Sequence, residues 1–308
     1  MNFQKMNTFP SMDSNFAMQS VIDISTPARL RIIIIRASHM GMCFGVRDAI
    51  ALAVKESRRQ PLTILGELVH NELVVNDLRA RGIGIEKHAA AVKTEAVMIT
   101  AHGASEMALK RVRAQGLRVL EATCPLVRHA HRAIQRLARE HFHPVIIGLR
   151  GHVEVRGLTE DLDECDIVLT EEDVAQLAER PRFGIAAQTT QPLEKVRHLV
   201  GLIRRKFPRS EVEFIDTVCQ PTKQRQTAAI ELAQKSEVVI VVGGENSNNT
   251  RELAATCQIH CPRVHHVQGA GQLRAEWFQG AVTVGITAGT STPDWIIDEV
   301  EHRIQTNL

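Results

Sequence analysis

The stretch CPLVRHAHRAIQRLA, residues 124–138, follows a plan that occurs three times in the chain. A cysteine ends an extended or loop segment, and a helical pattern begins directly after it. Cys43 precedes FGVRDAIALA and Cys219 precedes QPTKQRQTAAIELA in the same manner. Self-similarity at a fixed spacing indicates repeated structural units, so the pattern predicts a threefold internal repeat of roughly 80–95 residues.

Each predicted unit also carries two polar loops at matching positions after apolar, strand-like runs. The first loop residue lies 27 or 28 residues after the cysteine. The residues concerned are His70, His152 and Ser247 in the first loop, and His102, Thr189 and Ser291 in the second. Ligands of open α/β sheets bind at the carboxyl ends of the strands. Three units that face inward therefore predict one central site.

Short apolar runs alternate with amphipathic stretches, which is typical of an α/β protein with parallel sheets covered on both faces. Strands are predicted at 31–36, 62–66, 95–100, 117–121, 144–148, 166–169, 183–187, 212–216, 237–242 and 281–286. Helices are predicted after Cys43 and at 105–115, 128–140, 171–179, 192–206, 223–235 and 294–305. The expected fold is three similar small α/β units in a pseudo-threefold arrangement. Their predicted bounds are 31–123, 124–218 and 219–308, after a flexible N-terminal extension at 1–30.

Composition excludes several classes of protein. The net charge of +2 over 308 residues gives no reason to expect a nucleic-acid or anionic-membrane partner. Six cysteines in a chain of this length are not a disulfide framework, and a reducing cytoplasm fits them better. No apolar run approaches the ~18–20 residues that span a bilayer. With no tyrosine and two tryptophans, stacking of nucleobases is not expected.

The three repeated cysteines predict a metal centre. Structural zinc usually takes four ligands, often in close cysteine pairs, whereas Cys43, Cys124 and Cys219 are far apart in sequence. Iron–sulfur clusters accept distant thiolates, and four is the usual number. Three thiolates therefore suggest a cluster with one iron left open to a substrate oxygen. Cys257 and Cys261 lack a nearby partner and are interpreted as packing residues.

The polar loops predict an anionic substrate. GGENSNNT at 243–250 and AGTSTPD at 288–294 can direct amides, hydroxyls and a helix N-terminus at an anion. In GHVEVRG, His152 and Glu154 alternate, so on an extended segment both would point the same way. Glu154 suits general-acid work, and the Thr189 hydroxyl could relay a proton or hold a substrate alcohol. The expected substrate is small, phosphorylated and reduced at a C–O bond.

The residues alone leave three other interpretations open. An open-site iron–sulfur hydro-lyase acting on a small phosphorylated substrate would use the same three cysteines. A non-enzymatic iron–sulfur sensor would explain the cysteines but not the anion loops or Glu154. A plain α/β protein with structural thiols would not explain the equivalent placement of the cysteines.

The chain closely resembles the LytB-type 4-hydroxy-3-methylbut-2-enyl diphosphate reductases of the non-mevalonate isoprenoid pathway, from about Arg31 onward. The motifs that carry the resemblance are GMCFGV, GELVHN, AHGAS, ATCPLV, GHVEVRG, QTTQ, DTVCQPTKQRQ, NSNNT and TAGTSTPD. The resemblance implies a three-domain α/β trefoil around a central [4Fe–4S] cluster held by three cysteines. It also implies removal of the substrate hydroxyl with two electrons and two protons, as the last step of that pathway. The implied products are isopentenyl and dimethylallyl diphosphate.

Site roles carry over from this resemblance position by position. The implied cluster ligands are Cys43, Cys124 and Cys219. The implied diphosphate and substrate contacts are His70, His102, His152, Thr189, Ser247, Asn248, Asn249 and Ser291, with Glu154 as the proton donor. The family commonly has NSSNS where this chain has NSNNT, so an amide stands at 248 in place of a hydroxyl. The implied electron donor is ferredoxin or flavodoxin.

Overall fold

Parallel β-sheets form the frame of the protein. The computed structural model describes residues 32–307, and its strands form three four-stranded sheets. The strands are β1 Ile33–Arg36, β2 Leu62–Leu65, β3 Gly84–Glu86, β4 Ala96–Ile99, β5 Arg118–Glu121, β6 His143–Ile147, β7 Asp166–Val168, β8 Arg182–Ala187, β9 Glu211–Phe214, β10 Val238–Val242, β11 Val264–Val267 and β12 Thr283–Ala288. The helices are α1 Phe44–Ser57, α2 Glu72–Ala80, α3 Glu106–Ala114, α4 Pro125–Arg139, α5 Val153–Thr159, α6 Glu171–Gln176, α7 Leu193–Lys206, α8 Gln220–Ala233, α9 Asn248–His260 and α10 Asp294–Asn307.

All three sheets have the same strand order. Across the sheets the order is β3-β2-β4-β5, then β7-β6-β8-β9, then β11-β10-β12-β1. Every pairing is parallel. The central strands are apolar and buried along their length, as in the VVIVV run of β10, because helices cover both faces. The predicted α/β fold of three similar units with parallel sheets is confirmed.

The first strand does not lie where the predicted units place it. β1 was expected within the unit 31–123, but it pairs with β12 of the third sheet, from Ile33 opposite Thr283 to Arg36 opposite Ile286. It fills the edge position that β5 and β9 fill in the other two sheets. The prediction is wrong here because backbone pairing with a strand distant in sequence, and not position along the chain, decides which sheet β1 joins. Residues 1–30 lie outside the described residues.

Each of these edge strands leads into one of the repeated cysteines. β1, β5 and β9 are followed by Cys43, Cys124 and Cys219, and each cysteine begins the next helix. The chain thus leaves one sheet at a cysteine and enters the following unit. The third sheet takes its edge strand, β1, from the start of the described chain. The same connection therefore leads from the third sheet through Cys43 into the first unit.

The two strands that sequence patterns missed are short and lie at sheet edges. All ten predicted strands are present, with ends shifted by a few residues. The unpredicted strands β3 and β11 are sheet-edge segments with half-buried residues, so neither has a clear apolar run. Cys257 and Cys261 lie buried in the core between α8 and β10, as expected for packing residues. No helix within residues 32–307 is long and apolar enough to cross a bilayer.

A carboxylate joins the first two units. The amides of Glu106 and Met107, at the start of α3, donate to the two oxygens of Asp161 at 2.7 and 2.9 Å. Ser105, which caps the same helix, also donates to Glu160 at 2.6 Å. Asp161 follows α5, whereas α3 follows the loop of His102. This contact therefore fixes the His102 loop relative to α5.

We expect Asp161→Ala to lower the stability of the protein by about 1–2 kcal/mol, because two helix-terminal amides lose their acceptor. The melting temperature should fall by about 2–4 °C. Asp163→Ala is the matched control, since Asp163 is an exposed aspartate two residues away. Equal melting temperatures for the two variants would show that the contact contributes nothing.

Candidate functional site

The three repeated cysteines occupy the same structural position. Each is the residue immediately before a helix: Cys43 before α1, Cys124 before α4 and Cys219 before α8. Each lies at the end of a loop that follows an edge strand. A helix N-terminus carries partial positive charge and favours an anion such as a thiolate. Each cysteine therefore lies where a helix N-terminus contributes positive partial charge.

One hydrogen bond recurs at all three cysteines. The backbone N–H of each cysteine donates to a carbonyl in the loop after the third strand of the preceding sheet. The pairs are Cys43 to Thr290 at 3.1 Å, Cys124 to Ala101 at 3.0 Å and Cys219 to Thr189 at 3.0 Å. These loops contain Ser291, His102 and Thr189, which are residues of the second predicted set. The bond therefore holds each cysteine beside a polar loop.

The cysteines also influence one another across units. An added Cβ at Gly45, in the first turn of α1, would lie 2.6 Å from the sulfur of Cys124. The charges of Cys43 and Glu154 each contribute to raising the pKa of both Cys124 and Cys219. Residues from all three repeats therefore meet in one region.

Burial governs the protonation of these thiols. It raises the pKa of Cys124, and the amides of Leu126 and Val127 offset only part of this effect. It raises the pKa of Cys219 to about 11, although Thr222, whose Oγ1 is 3.1 Å from the sulfur, acts in the opposite direction. Both groups are therefore thiols at neutral pH in the metal-free protein. Binding to a metal would displace their protons.

Within residues 32–307, no three side chains of His, Cys, Asp or Glu converge as they would on a single metal ion. An iron–sulfur cluster makes a different demand, because each thiolate binds a separate iron. Three cysteines on three different helices suit that demand.

Three histidines form a second cluster. The ring centroids of His70 and His102 are 4.8 Å apart, and those rings lie 5.3 and 5.7 Å from the ring of His152. Burial, aided by the neighbouring histidines, lowers the pKa of His102 well below its ordinary value. Burial likewise lowers the pKa of His152 to about 4. Both rings are therefore neutral at pH 7.

These histidines line a cavity of about 40 Å³ with polar residues of the third unit, Ser247, Asn248, Asn249 and Ser291. Three buried polar atoms of this lining have no hydrogen-bond partner within residues 32–307: His70 Nε2, Asn248 Nδ2 and Ser291 Oγ. Buried polar groups are rarely left unpaired. Asn248 Nδ2 and Ser291 Oγ are each able to donate a hydrogen bond, so the cavity is suited to an acceptor-rich, anionic group.

The third-unit loop adds a helix N-terminus to the cavity. Ser247 caps α9 by accepting from the amide of Thr250, and Asn248 and Asn249 begin the helix, as GGENSNNT predicts. The side-chain oxygen of Asn249 is already used, because it accepts from the amide of Thr290 at 2.9 Å. The first turn of α9 therefore supplies positive partial charge where the unpaired donors lie.

Glu154 is buried and doubly hydrogen-bonded. It is 1% exposed, and Thr189 donates to it twice, from its amide at 2.6 Å and from its hydroxyl at 3.1 Å. Burial raises the pKa of Glu154 from 4.5 to about 7, against the opposing effect of Thr189. The carboxyl group can therefore hold a proton near neutral pH, which suits a general acid.

The backbone around Glu154 differs from the prediction of an extended segment. His152 caps α5, and Glu154 lies in its first turn. The amide of Glu154 donates to His152 Nδ1 at 3.1 Å, so the neutral ring carries its proton on Nε2. The His-x-Glu alternation resembled a strand because the helix has only seven residues and little periodic signal.

Comparison with known proteins places the chain in a family. A family model described as LytB protein matches residues 34–305. The chain belongs to the LytB family. Two LytB relatives named 4-hydroxy-3-methylbut-2-enyl diphosphate reductase are 39% identical over 279 residues, from Aquifex aeolicus, and 37% identical over 273 residues, from Trichlorobacter lovleyi. Each alignment covers 88% of this chain and 96% or 97% of the relative.

Solved structures agree with the LytB assignment. A structure of (E)-4-hydroxy-3-methyl-but-2-enyl diphosphate reductase, the terminal enzyme of the non-mevalonate pathway, is 38% identical with a TM-score of 0.65. It covers 88% of this chain and 98% of its own chain. A structure of the E-1-hydroxy-2-methyl-but-2-enyl-4-diphosphate reductase from Plasmodium falciparum is 26% identical with a TM-score of 0.84. It covers 90% of this chain and 89% of its own.

Sequence reasoning did not single out three residues of this LytB site. Gly45 provides space for the sulfur of Cys124. A Cβ at Gly244 would overlap the backbone of His70, so this glycine allows the first- and third-unit loops to touch. Asn71 joins the same loops, because its side-chain Nδ2 donates to the backbone carbonyl of Ser291 at 3.1 Å. Each of the three residues lies in a quoted motif, but its role depends on which loops meet in space.

The raised pKa of Glu154 predicts a pH-dependent stability. Between pH 4.5 and 7 the folded protein binds more protons than the unfolded chain at this position, so its contribution falls as pH rises. The loss amounts to about 3 kcal/mol. Relative to wild type, Glu154→Gln should therefore gain roughly 5 °C in melting temperature between pH 4.5 and pH 8 in the metal-free protein.

The control for that measurement is Glu179→Gln, at an exposed glutamate. Its melting temperature should run parallel to that of wild type across the same pH range. A Glu154→Gln curve that also runs parallel to wild type would contradict the raised pKa.

Proposed function

We propose that the chain is a 4-hydroxy-3-methylbut-2-enyl diphosphate reductase. It removes the hydroxyl of its substrate with two electrons and two protons, and it releases water with isopentenyl or dimethylallyl diphosphate. The names of the LytB relatives support this proposal. The structural observation that carries it is the hydrogen bond repeated at Cys43, Cys124 and Cys219, which holds each cysteine against a polar loop of the site.

We assign Cys43, Cys124 and Cys219 as ligands of a [4Fe–4S] cluster. Three thiols from three helix N-termini fit this group, because helix dipoles favour thiolates and each sulfur can meet its own iron. Gly45 fits it as well, since a side chain there would displace the sulfur of Cys124. When bound, a cluster with three protein ligands supplies electrons and one Lewis-acidic iron open to substrate.

The cavity residues hold the diphosphate in this proposal. The assigned contacts are His70, His102, His152, Ser247, Asn248, Asn249 and Ser291. The unpaired donors at positions 248 and 291 support the assignment. Binding energy from the diphosphate, away from the reacting carbon, would fix the position of the substrate. The cavity of about 40 Å³ is far smaller than an ordinary ligand pocket.

Glu154 is the proton donor in this proposal. Its pKa of about 7 keeps a usable fraction of carboxylic acid at physiological pH. Thr189 is bonded to Glu154 through both its amide and its hydroxyl, which supports a role in holding the acid in place. In this proposal its hydroxyl would also contact the substrate alcohol. His152 begins the helix that carries Glu154, so one short helix joins substrate contact and proton donor.

The remaining features of the proposal concern partners. Electrons would come from an external carrier such as ferredoxin or flavodoxin, and the expected compartment is the cytoplasm. The alternative of an open-site hydro-lyase is not favoured, because the LytB relatives are named as reductases. A hydro-lyase would also need no reductant.

Glu154→Gln tests the function directly. After anaerobic purification, the variant should keep its cluster and bind substrate, but its turnover with a chemical reductant should fall by about 10²–10⁴-fold. Glu179→Gln should turn over like wild type. Full activity in Glu154→Gln would remove this residue from proton delivery, and a wild type that consumes substrate without reductant would contradict the reductase itself.

Gly45→Ala tests the cysteine assignment. The backbone of Gly45 suits alanine, so the effect should come from the new Cβ, which lies 2.6 Å from the sulfur of Cys124. We expect iron per chain to fall to about half of wild type or less, since displacements near 1 Å disable such sites. Gly201→Ala, within α7, is the control and should keep its iron. Full iron content in Gly45→Ala would contradict the placement of Cys124 in the cluster.

A further inference from the structure

A buried arginine links the chain near two of the three cysteines. Arg225 lies in α8 and is 8% exposed. Its Nε donates to the carbonyl of Gly41 at 2.9 Å, and its Nη1 donates to the carbonyl of Pro221 at 2.9 Å. Gly41 lies two residues before Cys43, and Pro221 lies two residues after Cys219. Because Pro221 lies in the first turn of α8, one guanidinium connects the loop before Cys43 to the start of the helix that follows Cys219.

The charge of Arg225 faces thiols. Burying a cation is costly unless an anion or hydrogen-bond acceptors compensate it. Within residues 32–307, no aspartate or glutamate forms an ion pair with Arg225. Burial lowers the pKa of Arg225, while Cys43 and Cys219 raise it and Arg47 lowers it slightly. The groups that compensate its charge are thus the carbonyls of Gly41 and Pro221 and the two cysteines.

We propose that Arg225 is a positioning residue for the cluster, which holds the loop of Cys43 against the start of α8 at Cys219 and makes reduction of the bound cluster easier. This inference rests on the proposed function. The planar guanidinium suits the first task, because its fixed donors reach two carbonyls at once. The charge suits the second, because a cluster gains negative charge on reduction and a nearby fixed cation stabilises that state.

Lys223 provides a matched control on the same helix. It lies four residues after Cys219, and its ammonium is paired with Asp216 at 2.8 Å. It is not among the charges that shift the pKa of Cys124 or Cys219. Lys223→Gln therefore removes one positive charge from the same helical turn without removing the charge that faces the sulfur atoms.

The experiment compares wild type, Arg225→Gln, Arg225→Lys and Lys223→Gln as full chains loaded with cluster under anaerobic conditions. Iron per chain and a redox titration followed by EPR are measured. We expect Arg225→Gln to be reduced at least tenfold less favourably, which is a shift of about 59 mV to lower potential for one electron. We expect Arg225→Lys to keep the potential closer to wild type but to hold less iron, because an ammonium lacks the planar fork. Lys223→Gln should match wild type in both readouts.

Wild-type iron content and potential in Arg225→Gln would overturn the inference. If Arg225→Gln does not fold, Arg225→Lys serves as the test instead. Wild-type iron content in Arg225→Lys would then overturn the inference. If wild type binds a cluster and Arg225→Gln matches it in iron content and reduction potential, this inference is contradicted and the proposed function is not. A wild-type protein that takes up no iron would instead overturn the proposed function, and this inference with it.

Discussion

The site depends on one backbone hydrogen bond made three times. Each repeated cysteine donates its N–H to the loop after the third strand of a sheet, at Thr290, Ala101 and Thr189. Because these are backbone groups at equivalent positions, the repeat itself brings thiol and polar loop together. Side chains then determine what each unit contributes. The first unit supplies histidines, the second supplies an acid with its threonine, and the third supplies hydroxyls and amides.

The position of β1 completes this arrangement. β1 takes the same edge position in the third sheet that β5 and β9 take in the other two sheets. Its pairing with β12 places Cys43 beside Thr290, so the first cysteine makes the same contact as the others. The units contact one another at Gly45, Gly244 and Asp161.

Much of the fold could be predicted because the relevant signals are local. Buried strands such as VVIVV are apolar runs, and a cysteine before an amphipathic stretch marks the start of a helix. What could not be predicted depends on distant partners or on weak periodicity. β1 reads as a strand from its own residues, but its partner lies about 250 residues away. The short α5 reads as extended because His152 and Glu154 alternate. The candidate residues could be named, whereas the roles of Gly45 and Arg225 depend on which units touch.

The central claim is that three distant cysteines share one inorganic cofactor. Its most direct test is the amount of iron and acid-labile sulfide per chain after anaerobic purification, in wild type and in the three single Cys→Ser variants at 43, 124 and 219. Wild type should contain about four of each per chain, and each substitution should lower both together. A colourless wild type without iron would contradict the account. Full iron content in any one of the three variants would contradict the shared role of the cysteines.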